Sequence, residues 1–66
     1  MPVIIVKARA GVLATKEKKA ELIELLAASF AKVVGDETYN SRTTVVIEEV
    51  PNENWGRAGK QVSPTG

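Results

Sequence analysis

The sequence has neither cysteine nor histidine among its 66 residues. It therefore forms no disulfide, offers no zinc site of the Cys/His type, and excludes catalysis that depends on either residue. A chain of this length buries only about 60% of the surface that it exposes when unfolded, which makes its own core marginal. Oligomerisation is then the expected source of additional stability.

A strong charge of one sign is also missing. The formal net charge is +1, from nine basic and eight acidic residues that are mixed along the chain. This balance gives no electrostatic footprint for nucleic acid or for an anionic membrane. The longest apolar stretch is far shorter than a membrane span, and the amino terminus lacks the pattern of a secretory signal. We expect a cytoplasmic protein that binds neither nucleic acid nor membrane.

The first segment with a clear pattern is a predicted strand at residues 2–8, "PVIIVKA", a β-branched run that ends before Gly11. Its centre, "VIIV", has no polar alternation, which predicts that both faces of the strand are covered. One helix of so small a chain can cover only one face. We expect another subunit to cover the other.

A helix is predicted over residues 15–34, with Thr15 as its N-cap and Gly35 as its left-handed C-cap. Its apolar residues recur at spacings of three and four, which predicts one apolar stripe on the helix surface. The stripe consists of Leu22, Ile23, Leu26, Phe30, Val33 and Val34.

The rest of the chain predicts a second strand and a short hairpin. "DETYNS" is a polar connection, "RTTVVIEEV" is the strand that Pro51 ends, and the tail can hold a hairpin around Gly56–Gly59. Strand, helix and strand in this order form a βαβ unit with parallel strands. We therefore expect one α/β domain over residues 1–66, and pairing of two such units into a four-stranded sheet.

Several of these segments together resemble the 4-oxalocrotonate tautomerase family. They are the proline directly after Met1, the β-branched strand, the helix start "KEKKAELI" and the run "VVIEEVPNENWGRAGK", and the likeness covers essentially the whole chain. The resemblance implies a βαβ protomer with a short C-terminal hairpin, dimers with a four-stranded sheet, and usually a trimer of dimers, hence a homohexamer. It also implies a cofactor-independent isomerase whose terminal proline nitrogen moves a proton between carbons of an enol or dienol acid.

Two residues match the family's site directly. Pro2 matches the catalytic base once Met1 is removed, and Trp55 falls where the family carries an aromatic residue that walls the site. The implied substrate is a small anionic acid of the 2-hydroxy-dienoate or enol-pyruvate type. Plainer interpretations stay open, because proline is tolerated at the first position of a strand and a lone tryptophan can anchor a subunit interface.

The family's two arginines are absent from their usual places. The first slot holds Val12 when counted from the strand or Ala14 when counted from the helix, and the second slot holds Thr44. An enol acid still needs a cation at its carboxylate. The sequence therefore predicts that other arginines bind the substrate if the site is active.

Three arginines are candidates for this role: Arg42, Arg9 and Arg57. Arg42 precedes Thr44 by two residues, and on a strand this spacing places both side chains on the same face. Arg9 ends the first strand near the other empty slot, and Arg57 adjoins Trp55. For each one the alternative is an arginine that is exposed to solvent or lies at a subunit contact.

Two further functions stay open beside the tautomerase hypothesis. A hydratase-like or dehalogenase-like relative would use Pro2 in its protonated form, although the sequence singles out no carboxylate to activate water. A non-catalytic or decayed tautomerase-like subunit of an oligomer would account for the two absent arginines.

Overall fold

The computed structural model describes residues 2–61. Their elements follow the order strand, helix, short helix, strand, 3-10 turn and two-stranded hairpin. The bounds are β1 Val3–Arg9, α1 Lys16–Val34, α2 Thr38–Arg42, β2 Thr44–Val50, the 3-10 turn Asn52–Asn54, β3 Gly56–Arg57 and β4 Lys60–Gln61.

The two long strands pair in parallel, from Val3 opposite Thr44 to Arg9 opposite Val50. Parallel strands need a crossover connection, and α1 supplies it. Both strands are rich in valine and isoleucine, whose branched side chains suit a pleated and packed surface. The predicted βαβ unit and the α/β class are confirmed.

Both predicted ends of α1 are confirmed by their caps. The Thr15 hydroxyl accepts a hydrogen bond from the Lys18 backbone N–H at 3.1 Å. At the other end Gly35 has a φ of 85°, and its N–H donates to the Ala31 carbonyl at 2.9 Å. Glycine adopts this left-handed conformation without the steric cost that a Cβ brings.

The packed face of α1 differs from the predicted stripe. Ala27 and Ala31 are the buried hydrophobic residues, whereas Val33 is 86% exposed. These two alanines are one helical turn apart, and their small side chains let the helix lie close to its neighbours. Counting only large apolar residues missed them. Val34 and Ile23 are exposed as well, at 49% and 39%, so the prediction that these three residues belong to the packed stripe is wrong within the protomer.

The sheet has one covered face and one bare face. On the covered face Ile4, Val6 and Ile47 are half-buried. On the bare face Val3 is 58% exposed and Ile5 is 55% exposed. Within one protomer only one face of "VIIV" is covered, as expected for a chain whose described residues form one long helix, and cover of the other face by a second subunit stays a prediction.

The protomer is also extended for its length. Its radius of gyration is 14.8 Å, compared with about 11 Å for a compact chain of this size. Among the described residues no large side chain is fully buried. A protomer with so small a core buries little of the apolar surface whose burial usually stabilises a fold.

The segment predicted as a polar connection contains the short helix α2. Asp36 Oδ1 accepts hydrogen bonds from the Thr38 N–H at 3.0 Å and from the Thr38 hydroxyl at 2.7 Å, and these bonds tie down the start of the helix. Arg42 is the last residue of α2, and β2 begins at Thr44. The prediction that Arg42 lies on the second strand is wrong.

The predicted hairpin near the carboxyl terminus is confirmed. Arg57 pairs with Lys60 in antiparallel fashion, and the two residues between them, Ala58 and Gly59, have φ angles of 54° and 80°. Positive φ at both central residues is typical of a type I′ turn, which matches the twist of the flanking strands. None of the helices within residues 2–61 is long and apolar enough to cross a membrane.

Candidate active site

The predicted site residues lie at two ends of the β1–β2 pair. At the amino ends of the strands, the Thr44 N–H donates to the Pro2 carbonyl at 3.0 Å, and Arg42 precedes Thr44 by two residues. We call the group Pro2, Arg42, Thr43 and Thr44 the proline end. Parallel pairing places these residues side by side because both strands start at the same edge.

The other predicted residues lie at the carboxyl ends of the strands. Arg9 is opposite Val50, and the Trp55 Nε1–H donates to the Val50 carbonyl at 3.0 Å. Arg57 follows two residues later in β3. We call the group Arg9, Val50, Trp55 and Arg57 the tryptophan end.

The two ends are too far apart to form one site within a protomer. The seven residues of β1 span about 20 Å at 3.3 Å per residue. An arginine side chain is much shorter than this distance. One protomer therefore places Pro2 beside Thr44, two residues from Arg42, but does not bring Trp55, Arg9 or Arg57 to that end.

The proline end contains a surface depression of about 330 Å³. It is lined by Ser41, Arg42, Thr43 and Thr44. Arg42 and Thr44 thus border the same space, as expected, but for a different reason from strand alternation. The end of α2 carries Arg42 to the depression, and the start of β2 carries Thr44.

The Arg42 guanidinium is held by an aromatic ring. Its central carbon lies 4.7 Å from the centroid of the Tyr39 ring, within the range of a cation–π contact. Within residues 2–61, Arg42 makes no side-chain hydrogen bond and no ion pair. Its N–H groups therefore remain available to an anion.

Asp36 is the acidic residue whose charge interacts with Arg42. The Thr38 hydroxyl and the Thr38 backbone N–H hold the pKa of the Asp36 carboxyl below its ordinary value, and the charge of Arg42 acts in the same direction. Both Thr38 bonds go to Oδ1 and support the helix start, and among the described residues Asp36 and Arg42 form no ion pair. The Arg42 guanidinium therefore lies near the Asp36 carboxylate without a direct ion pair to it.

The hydroxyl groups around the depression are not equivalent. The Ser41 hydroxyl donates to the Thr38 carbonyl at 3.2 Å, and the Thr43 hydroxyl donates to the Tyr39 carbonyl at 2.6 Å. Each hydroxyl has only one proton, so both can only accept from a bound molecule. The Thr44 hydroxyl has no such bond among the described residues. Thr44 and Arg42 are therefore the side-chain donors that the depression offers an anion.

The tryptophan end has different support. Trp55 is half-buried and fixed by its bond to Val50, whereas Arg57 is exposed in the hairpin. The Asn52 Oδ1 atom is buried without a partner in the described part of the chain. Buried acceptors are normally satisfied by protein groups or by ordered water, so this atom is available to accept a further hydrogen bond.

The loop that holds the first empty arginine slot is fastened by Glu49. Its carboxylate accepts a hydrogen bond from the Lys19 ammonium and a longer one, at 3.4 Å, from the Gly11 N–H. The Lys19 hydrogen bond, with that of Gly11, holds the pKa of Glu49 below its ordinary value. Val12, which stands in the first empty slot when counted from the strand, is 63% exposed in this loop. Residues 2–61 contain no cluster of acidic side chains that could hold a metal ion.

Comparison with known proteins identifies the family. A family model described as tautomerase enzyme matches residues 2–64. The chain belongs to the tautomerase family. A solved structure titled as apo unfused 4-OT is 34% identical, with a TM-score of 0.76 over 92% of this chain and 93% of that one. No curated protein is similar enough to this sequence to count as a match.

The tautomerase family and fold support a tautomerase-type activity for this chain. Sequence reasoning about its site missed Tyr39, which holds Arg42. Two signals were present in the sequence. Asp36 stands two residues before Thr38, a spacing that starts short helices. Tyr39 stands three residues before Arg42, which places both side chains on one helix face. Both signals lie in the segment that was interpreted as a loop.

Proposed function

We propose that this tautomerase is a cofactor-independent isomerase of small anionic enol acids, of the 2-hydroxy-dienoate or enol-pyruvate type. The nitrogen of Pro2, freed by removal of Met1, takes the proton from the enol hydroxyl as the carbonyl forms. It then returns the proton to a conjugated carbon. The observation that carries the proposal is the depression bordered by Arg42 and by Thr44, whose backbone N–H donates to the Pro2 carbonyl, with no ion pair to Arg42 among the described residues.

The chemistry of Pro2 suits a proton shuttle near neutral pH. An unperturbed α-amino group has a pKa of about 7.7–8.0, and burial lowers it because the charged form loses solvation. Pro2 is half-buried in the protomer, next to the apolar start of β1. A base whose pKa lies near the working pH transfers protons most efficiently.

Arg42 supplies the positive charge that the substrate requires. A guanidinium binds a carboxylate with two parallel N–H donors, and it also stabilises the negative charge that develops on the enol oxygen. Thr44 adds one hydroxyl donor at the same rim. Together they replace the arginine that the family carries at the position of Thr44.

We further propose that the whole chain acts as one domain of a cytoplasmic homo-oligomer, a dimer or a hexamer. The bare sheet face and the large radius of gyration support this assembly, since both leave apolar surface to bury. The separation of the two ends supports it as well. A neighbouring protomer would bring its tryptophan end to the proline end and close the depression against water.

Blocking the Pro2 nitrogen tests this function. One preparation begins at Pro2, and a second carries a single alanine before it, which turns the amine into an amide without basicity. We expect the extension to lower kcat/KM on the enol form of phenylpyruvate by about 10²–10⁴, with unchanged circular dichroism and particle size. Equal activity of both preparations would contradict the role of Pro2. Inactivity of both on every enol acid would favour the non-catalytic subunit instead.

A further inference from the structure

We propose that Tyr39 is a positioning residue for substrate binding. It holds the Arg42 guanidinium at the depression of the proline end. The inference rests on the proposed function, in which Arg42 binds the substrate carboxylate. It concerns a residue of α2 that contributes no atom to the lining of the depression.

The Tyr39 ring is itself fixed from behind. It meets the Phe30 ring of α1 edge to face, with centroids 6.0 Å apart and planes at 63°. This is a favoured geometry for two aromatic rings. Tyr39 is half-buried, whereas Arg42 is exposed. The ring therefore connects the packed helix to a side chain that would otherwise move freely in solvent.

The backbone of Tyr39 connects the same turn to β2. Its carbonyl accepts both the Thr43 N–H at 3.0 Å and the Thr43 hydroxyl at 2.6 Å. These two bonds fix the residue that joins α2 to β2. The ring, the arginine and the start of β2 thus form one unit beside Pro2.

Holding a cation with a ring has a specific chemical advantage. A carboxylate partner would occupy the N–H groups of Arg42 and would compete with an anionic substrate. An aromatic ring attracts the face of the guanidinium and leaves the N–H groups at its edge available. Less side-chain entropy is then lost when the substrate carboxylate binds, because the arginine is already ordered.

The test compares Tyr39→Leu with Tyr39→Phe. Leucine keeps an apolar side chain and removes the ring, whereas phenylalanine keeps the ring and removes only the hydroxyl, which makes no hydrogen bond among the described residues. With the enol form of phenylpyruvate as the probe, we expect Tyr39→Leu to lower kcat/KM roughly threefold to tenfold, chiefly through a higher KM. We expect Tyr39→Phe to restore most of the affinity.

A double-mutant comparison separates positioning from general stability. In an Arg42→Ala background the Tyr39→Leu change should have almost no further effect on KM, because the side chain that it positions is gone. An equal loss in both backgrounds would overturn the proposal. So would a loss in Tyr39→Phe as large as in Tyr39→Leu.

Nuclear magnetic resonance gives a readout that needs no turnover. The side-chain protons of Arg42 should be shifted by the ring current in the parent and in Tyr39→Phe, and should move to ordinary positions in Tyr39→Leu. Identical positions in all three proteins would overturn the contact. If the shift is present but Arg42→Ala keeps full activity, the proposed function of Arg42 fails, and the positioning role in substrate binding fails with it.

Discussion

The two ends of the β1–β2 pair differ in how far one protomer completes them. At the proline end, Arg42 lies on a fixed aromatic ring and borders a depression that Thr44, the partner of the Pro2 carbonyl, also lines. At the tryptophan end, Arg57 is exposed on a two-residue strand, and the Asn52 side chain has a buried acceptor without a partner among the described residues. The comparison indicates that the proline end is organised by contacts within its own chain, whereas the tryptophan end keeps an exposed arginine and an acceptor open to further contacts.

The most severe way to disturb both ends is to prevent assembly. Ile5 lies near the centre of the bare face, opposite Val46. Ile5→Asp would place a charge where a neighbouring apolar surface should pack, and burying an unpaired charge is strongly unfavourable. We expect loss of the oligomer and of all activity, measured by light scattering and turnover.

The control for this change is Glu24→Lys, a charge change at an exposed position of α1. It should leave both size and turnover as in the parent. A protein with Ile5→Asp that keeps its size and activity would show that the bare face is exposed to solvent in the working protein.

Arg42→Ala disturbs the proline end alone. Losing a donor that stabilises developing charge typically costs about 10²–10³ in rate, and we expect kcat/KM to fall by at least tenfold while the oligomer stays folded. Arg42→Lys keeps the charge without the planar fork and should recover only part of the activity. Lys16→Ala, at the exposed start of α1, is the control for a lost positive charge. Normal activity of Arg42→Ala beside an inactive Arg57→Ala would place the carboxylate at the tryptophan end instead.

Trp55→Ala disturbs the tryptophan end alone. The change removes a half-buried aromatic side chain and its hydrogen bond to the Val50 carbonyl. We expect weaker assembly and reduced turnover, seen in dilution-dependent light scattering and in kcat/KM. Trp55→Phe keeps most of the apolar area. Its missing hydrogen bond should lower the free energy of unfolding by about 1 kcal/mol. If Trp55→Ala changes neither property, Trp55 is only a surface residue.

The smallest expected effect concerns the turn of the hairpin. Ala58 has a φ of 54°, a conformation that costs a residue with a Cβ about 1–2 kcal/mol. Ala58→Asn creates the Asn-Gly pair that type I′ turns prefer, so the hairpin should gain up to about 1 kcal/mol. Thermal unfolding should shift upward by a few degrees, with KM unchanged. A lower Tm would mean that the asparagine side chain disturbs a contact of the hairpin.

The sequence predicted the elements that local chemistry determines. Thr15 and Gly35 carry the side-chain and backbone properties that caps require, and the valine-rich strands pair as expected for a βαβ unit. The sequence did not reveal α2, because its five residues have no apolar period and their start depends on bonds from Asp36. This omission also misplaced Arg42 on a strand.

The candidate site was predictable only in part, for a physical reason. Pro2 and Trp55 were found through a resemblance to relatives, and single-chain patterns do not say which residues meet across subunits. Arg42 was selected by strand alternation, which does not apply to the last residue of a helix. Tyr39 escaped notice because its role depends on a contact with a neighbouring side chain and not on its own chemistry.

Subunit complementation tests the central claim, that one site takes its two ends from different protomers. The chain extended before Pro2 is inactive at the proline end, and Arg57→Ala removes the candidate substrate-binding arginine of the tryptophan end. When the two are unfolded together and refolded, roughly a quarter of the sites should combine two intact ends, because each end is intact in half of the chains. Activity should therefore return.

The matched mixture pairs the extended chain with Arg42→Ala, and both of these defects lie at the proline end. No chain in this mixture has an intact proline end, so we expect no recovery of activity. Recovery here, or its absence in the mixture with Arg57→Ala, would contradict a site built from the proline end of one protomer and the tryptophan end of another.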